Sequence, residues 1–297
     1  MSPSWGELLN GLSDISFNPD ELRQQYLKQL YECTGRNIIT YYSAWLQQDK
    51  EGNIDINDSD LTGFMNAVKG MDVTKGLDLI LHTPGGIPTA AEGIVQYLHT
   101  KFGNNIRVIV PHMAMSAGTM IACASREIIM GAHSFLGPID PQYEGVPAYN
   151  IIKEFDDARK ELENKPEALG YWKLRLGKYT KAYYYTVKDA IALSGVLVEQ
   201  WLKKYMFEKE EEAIAKEKTE HILDILNSNN KSHARHFNYD LCNQMGLNVE
   251  RLESNQKLQE SVLSLHHSYT ITFEATSANK IIENQAGARY ISHMKLK

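Results

Sequence analysis

The sequence predicts an α/β fold in which a parallel sheet with crossover helices is followed by a mainly helical C-terminal part. Three observations carry this. The continuous apolar runs LDLILHT (77–83), IRVIVPH (106–112) and REIIMG (126–131) read as strands buried on both faces. Segments with helical spacing separate them, and that alternation calls for parallel strands joined by right-handed crossovers. Beyond about residue 146 the strands stop, and long amphipathic patterns rich in Tyr, Lys and Leu take over.

The elements follow in chain order. Residues 18–34 form a helix with Asn18 as cap, Pro19 at its first position and Gly35 at its end; Leu22, Tyr26, Leu30 and Cys33 make its apolar stripe. NIITYYSAW (37–45) is a strand, and QQDKEGNIDINDSD is a polar loop. Leu61 to Met71 is helical, capped by Asp58 or Ser59. Thr89 to Lys101 is a helix whose apolar face carries Ala91, Ile94, Val95 and Leu98, and Ala117 to Ser125 is a small, buried one. FEKEEEAIAKEK (207–218) is a solvated charged helix or linker, and TITFEAT (270–276) a strand candidate. The expected units are an N-terminal helical segment at 1–36, a main domain at 37–206 and an α+β extension at 207–297.

Composition sets limits. With 297 residues, 43% of them hydrophobic, the chain can bury one large core, and a net charge of -6 argues against a broad nucleic-acid surface. Three scattered cysteines, Cys33, Cys123 and Cys242, do not form a disulfide framework and suit a reducing compartment. MSPSWGELLNGLSD lacks the basic and apolar regions of a signal peptide, and no transmembrane segment is expected, so the default localisation is cytoplasmic.

Chemistry concentrates at two junctions where strands run into helices, the positions where ligands gather in parallel sheets. In the first, Pro84, Gly85 and Gly86 leave backbone N–H groups open to close approach. In the second, Ser116 precedes Ala117 and Gly118. That arrangement offers an exposed Oγ and, from Ala117, a second donor for a developing oxyanion. Each turn by itself is also an ordinary helix-entry device. The ordered pair, about 30 residues apart on adjacent turns, is the stronger signal.

LDLILHTPGG, then AAEGIVQYL, then IRVIVPHMAMSAGTMIACASREIIMGAHSFLGPIDPQ resembles the Clp protease/crotonase superfold. Within it, the signal peptide peptidase A-like and serine dehydrogenase proteinase (SDH-type) branch is most similar. The specific match runs from about Gly76 to Gln142; a looser one continues through HARHFNYDLCNQMGL, LESNQKLQESVLSLHHSYTITFEAT and KIIENQAG. The resemblance implies repeated β-β-α units wound into a superhelix. It also implies Ser116 as nucleophile, with backbone donors from Gly85 or Gly86 and from Ala117. A peptide or protein substrate, no cofactor and a homo-oligomer come with it.

The base departs from the Clp pattern. The place of that pattern's histidine falls at or near Asp140, which at an ordinary carboxylate pKa of about 3.9 is a poor base and suits orienting a partner or capping the Pro141 turn. The signal peptide peptidase A-like branch implies a lysine instead; Lys153 is nearest the expected place, which aligns to Ala148 or Tyr149. Lys160, Lys173, Lys178 and Lys181 are fallbacks, while His112 and His133 compete for the role or serve as structural histidines.

Other features read as plain surface or core. His221, His233, His236 and Cys242 lack a complete zinc set, and the adjacent His266 and His267 face different sides of a helix, so no metal is expected. TKAYYYTVK (180–188) suits a peptide groove or a packed helix, and Ile87, Met113 and Met115 suit a specificity pocket or core. No nucleotide loop of the GxxxxGK[ST] or GxGxxG type occurs. The leading reading is a serine peptidase. Its rivals are an inactive scaffold on the same fold and a crotonase-like acyl-thioester enzyme, the latter weakened by the lack of paired glutamates near the junctions.

Overall fold

The computed structural model describes residues 18–47, 52, 54–143, 145–227 and 235–294. The N-terminal stretch discussed above, part of the polar loop and His233 lie outside the described residues.

Helix α1 (Pro19–Thr34) is capped by the Asn18 side chain, which accepts the Asp20 N–H, and ends at Gly35 with φ 65. Strand β1 (Asn37–Ser43) and helix α2 (Asp60–Val68) follow. Ser59 starts α2 without a side-chain capping bond, because its hydroxyl turns back to Asn57. Next come β2 (Leu77–His82), α3 (Pro88–Phe102), β3 (Ile106–Val110), the short β4 (Met113–Ala114), α4 (Ala117–Cys123), β5 (Glu127–Met130) and the short β6 (Phe135–Leu136). A small hairpin of β7 (Gln142–Tyr143) and β8 (Val146–Pro147) leads into the helices α5 (Ala148–Asn164), α6 (Leu169–Leu176), α7 (Tyr183–Trp201), α8 (Glu212–Asn227) and α9 (Tyr239–Gln244). The chain closes with β9 (Val249–Arg251), α10 (Gln256–Ala275), β10 (Ala278–Asn284) and β11 (Arg289–His293).

The main sheet has the order β11-β10-β1-β2-β3-β5-β9. Five neighbouring strands, β1, β2, β3, β5 and β9, run parallel, while β10 is antiparallel to β1 and β11 to β10. Both faces are covered. Ile39, Leu79, Leu81, Val108 and Ile128 pack against α2, α3, α4 and the later helices α7 and α8. Ile38, Ile80, Ile109, Ile129 and Ile281 pack against α1 and α10. Burial of each such side chain is worth about 1.5–3 kcal/mol, which is why the strands read as unbroken apolar runs.

A second, smaller layer stands at the carboxyl end of the parallel strands. Ile56 bridges Gly86, Thr83 bridges Ala114, β4 pairs with β6, and Leu136 bridges Phe237. Strands β1, β2, β3 and β5 are therefore each followed by a short segment of this layer, which for β2 and β3 leads into a helix. That is the repeated β-β-α unit of the Clp/crotonase fold, and from Ala148 to Ala275 the chain is mainly helical, as expected.

Two expectations are corrected. TITFEAT is not a strand: it lies almost wholly in α10, where Leu258, Val262, Leu265, Tyr269 and Phe273 form one buried stripe. The β-branched residues cost a few tenths of a kcal/mol each in a helix, less than that stripe gains. Thr270 and Thr272 turn their hydroxyls to the carbonyls of His266 and Ser268, one turn back. Nor do strands stop after residue 146, since β9, β10 and β11 join the main sheet. In β10 all seven residues are buried, including Lys280 and Glu283; their charges hide a core strand until the partners Asp60 and Arg23 are placed.

Candidate active site

The two junctions are stitched together by Thr83. Its N–H donates to the Met113 carbonyl, its carbonyl accepts the Met115 N–H (both 3.0 Å), and its hydroxyl accepts the Gly85 N–H at 3.1 Å. Gly118 lets α4 press onto Thr83, because a Cβ there would lie 2.5 Å from the threonine methyl. At the other end of the α4 turn, the Thr119 hydroxyl donates to the Ala114 carbonyl and accepts the Gly137 N–H, both at 2.9 Å.

Ser116 sits at the start of α4 with φ 50 and ψ -115, a conformation that costs a non-glycine residue about 1–3 kcal/mol. A sharp strand-to-helix turn of this kind presents a serine Oγ at the helix start. The hydroxyl makes no hydrogen bond among the described residues, and Ser116 is half-buried. Facing it is Gly85, φ 106, where an added Cβ would stand 3.1 Å from the Ala117 nitrogen. The N–H groups of Gly86 and Ala117 have no acceptor among the described residues, whereas that of Gly85 is taken by Thr83. A hydroxyl beside two unpaired backbone donors can attack a carbonyl and hold the oxyanion that forms.

The structure thus brings Gly85, Ser116 and Ala117 together. Lys153 stands exposed on α5, lining a depression with Tyr149, Asp156, Asp157 and Asp224. Asp140 is buried close to Tyr149, whose phenol is pushed up by burial and then by Asp140 and Asp224. Met113 and Met115 are core residues, Met115 resting on Gly137, while Ile87 is exposed.

His112 belongs to a cluster that the sequence reading missed. Its ring stacks on His82 with centroids 5.7 Å apart, and His266 meets both edgewise at 5.4 and 5.7 Å. Burial, reinforced by His112, lowers His82 to about 3 against the opposing pull of the Met113 carbonyl, and its buried Nδ1 has no partner among the described residues. Burial likewise lowers His112, with His133 and His236 adding to it, and holds His266 well below its ordinary value. His133 folds over Gly131, its buried Nε2 without a partner among the described residues. The one signal in the sequence was a histidine ending an otherwise apolar strand. Among the described residues no group of three or more His, Cys, Asp or Glu is arranged to hold a metal ion.

This sheet, its second layer and the serine at the α4 turn define a Clp/crotonase-fold protein. Residues 52–170, which carry both junctions, match the family of ClpP-like SDH-type serine proteinases. An uncharacterized protein of Methanocaldococcus jannaschii is 38% identical over 141 residues, 45% of this chain and 48% of the relative. Another uncharacterized protein of that organism is 44% identical over 79 residues, 27% of each chain. The chain thus spans about half, or less, of the length of these curated relatives. No helix among the described residues is long and apolar enough to cross a membrane.

Proposed function

We propose that this chain is a serine peptidase in which the Ser116 Oγ attacks a peptide carbonyl. The observation that carries the reading is the strained φ of Ser116 beside the unpaired N–H groups of Gly86 and Ala117. Those two groups hold the tetrahedral oxygen, and Gly85 leaves the room for it. The C–N bond then breaks, the proton from Oγ passes through a base to the departing amine, and water hydrolyses the resulting ester.

The resemblance implies a lysine base, and Lys153 is the lysine nearest the implied place at Ala148 or Tyr149. A lysine amine accepts a proton readily only when withdrawn from water. Lys153 is exposed in the single chain, so in this reading it acts when substrate or a second subunit covers α5. Exposed Leu169 (59%), Leu174 (80%) and Tyr185 (67%) on the helical arm support a homo-oligomer. The free cysteines support a reducing, cytoplasmic compartment.

One observation favours a second reading, an inactive scaffold: no described residue accepts the Ser116 proton. A fluorophosphonate probe separates the two. Labelling that vanishes in Ser116→Ala supports the peptidase; wild-type protein that resists the probe as an oligomer supports the scaffold. Loss of labelling in Lys153→Ala with retention in His112→Ala assigns the base to Lys153, and the opposite pattern moves it to His112.

A further inference from the structure

The Gly85–Gly86 peptide is held from behind by Ile56, and Ile56 is clamped on both sides by one buried ion pair. The Ile56 N–H donates to the Gly85 carbonyl at 2.7 Å, and the Ile56 carbonyl accepts the Ile87 N–H at 2.8 Å. The carbonyl and N–H of a trans peptide point in opposite directions. The bond to the Gly85 carbonyl therefore turns the Gly86 N–H away from Ile56. Contact is close here: a Cβ on Gly86 would fall 2.3 Å from the Ile56 carbonyl oxygen, so only glycine lets the two backbones meet.

On one side of Ile56, Lys280 Nζ donates to the Asp55 carbonyl at 2.7 Å. On the other, Asp60 Oδ2 accepts the Asn57 N–H at 3.1 Å. Lys280 and Asp60 join at 2.8 and 3.1 Å, and the Tyr41 hydroxyl donates to Asp60 at 2.8 Å. Both ionic side chains are fully buried, with Tyr41 1% exposed. A buried ion pair adds little net stability over apolar side chains of similar shape. What this pair supplies is direction: each of its members ends on a backbone atom flanking Ile56.

We propose that Lys280 and Asp60, supported by Tyr41, are positioning residues that aim the Gly86 N–H at the Ser116 site through Ile56. The link to Ser116 rests on the peptidase reading; the clamp on Ile56 does not. Strand β10 thereby reaches the reactive turn without touching it.

The test compares wild type with Asp60→Leu/Lys280→Met, which removes both charges together and leaves neither buried alone. Hydrogen exchange at Ile56 and Ile87 reads the clamp. The rate of fluorophosphonate reaction at saturating probe reads the consequence. Exchange faster by about tenfold or more, with Ile106–Val110 unchanged, is expected, together with a maximal labelling rate lower by about tenfold and unaltered half-saturation. A merely structural loss would instead loosen Ile106–Val110 as well. Should the pair fail to fold, Asp60→Asn/Lys280→Met keeps an acceptor for Asn57 and reads the same amides. A folded variant whose Ile56 and Ile87 amides exchange as in wild type overturns the clamp, and faster exchange with undiminished labelling overturns its role at Ser116. If wild type itself is unreactive, the peptidase reading falls while the exchange arm still decides the clamp.

Discussion

Gly85 stands directly against Ser116: a Cβ on the glycine would lie 2.6 Å from the serine Cβ and 2.7 Å from the Met115 carbonyl oxygen. With φ 106 the position is doubly closed to other residues, by conformation and by contact. Gly85→Ala should therefore lower stability by about 1–3 kcal/mol. By forcing the Gly86 N–H out of line it should also slow probe labelling by about 100-fold or more, the scale on which a lost oxyanion donor acts. Urea unfolding and labelling rates check the two effects separately.

Relief of strain at Ser116 gives a second expectation. Ser116 holds φ 50, which glycine adopts freely. Ser116→Gly should raise stability by about 1 kcal/mol, the strain relieved exceeding the extra entropy of the unfolded chain, whereas Ser116→Ala keeps the strain and gains little. Both lose labelling. A melting temperature no higher for the glycine variant than for the alanine one would contradict stored strain at this turn.

The histidine cluster sets the acid side of the stability curve. His82, His112, His266 and His267 are all lowered in the folded protein, burial being the first cause in each, and His82 reaches about 3 against a model-peptide value of 6.5. Below about pH 6.5 the unfolded chain binds protons that the folded chain refuses. Stability is thus fully present above that pH and is lost as pH falls toward 3. Each such group steepens the loss by up to about 1.4 kcal/mol per pH unit. Urea unfolding at pH 7.5 and 5.5 should show the decline, and His82→Phe should flatten it; an unchanged slope in that variant would remove His82 from the account.

Glu283 and Arg23 form a second buried pair, 2.7 Å apart with both side chains fully buried, and Tyr269 donates to the same carboxylate at 2.6 Å. Glu283→Ala leaves the buried guanidinium only the part-exposed Asp20, 2.7 Å away, as counter-ion and should cost about 3 kcal/mol, the low end for a broken buried pair. The paired replacement Arg23→Met/Glu283→Leu should cost far less, because no charge stays buried alone. Denaturant titration of the three proteins tests this ordering.

Removal of residues 278–297 should leave a protein that does not fold as a monomer. β10 pairs along β1 from Ile39–Asn284 to Ser43–Lys280, so its loss bares a central strand and leaves Asp60 and Arg23 without their buried counter-ions. Size-exclusion chromatography should show aggregate; a folded monomer would contradict the sheet order.

The half of the fold that carries the two turns was legible because its signals are local. Leu77–His82 and Ile106–Val110 are covered on both faces, so burial writes itself into the sequence as an unbroken apolar run. TPGG and MSAG announced the two turns because close backbone approach demands small residues there. β10 was illegible for the converse reason. Its Lys280 and Glu283 look like surface charges until Asp60 and Arg23, more than 200 residues away, are placed against them.

The sequence by itself determined the parallel sheet, the two glycine- and serine-bearing turns and their order on adjacent units, since each follows from periodicity and local sterics. Only the tertiary structure decided which backbone donor is open. Thr83 takes the Gly85 N–H and Ile56 turns the Gly86 N–H, and those bonds depend on three-dimensional closure. The histidine cluster and the Lys280–Asp60 clamp belong to the same class. Burial makes an unusual pKa or a paired charge, and burial is a property of the packed chain.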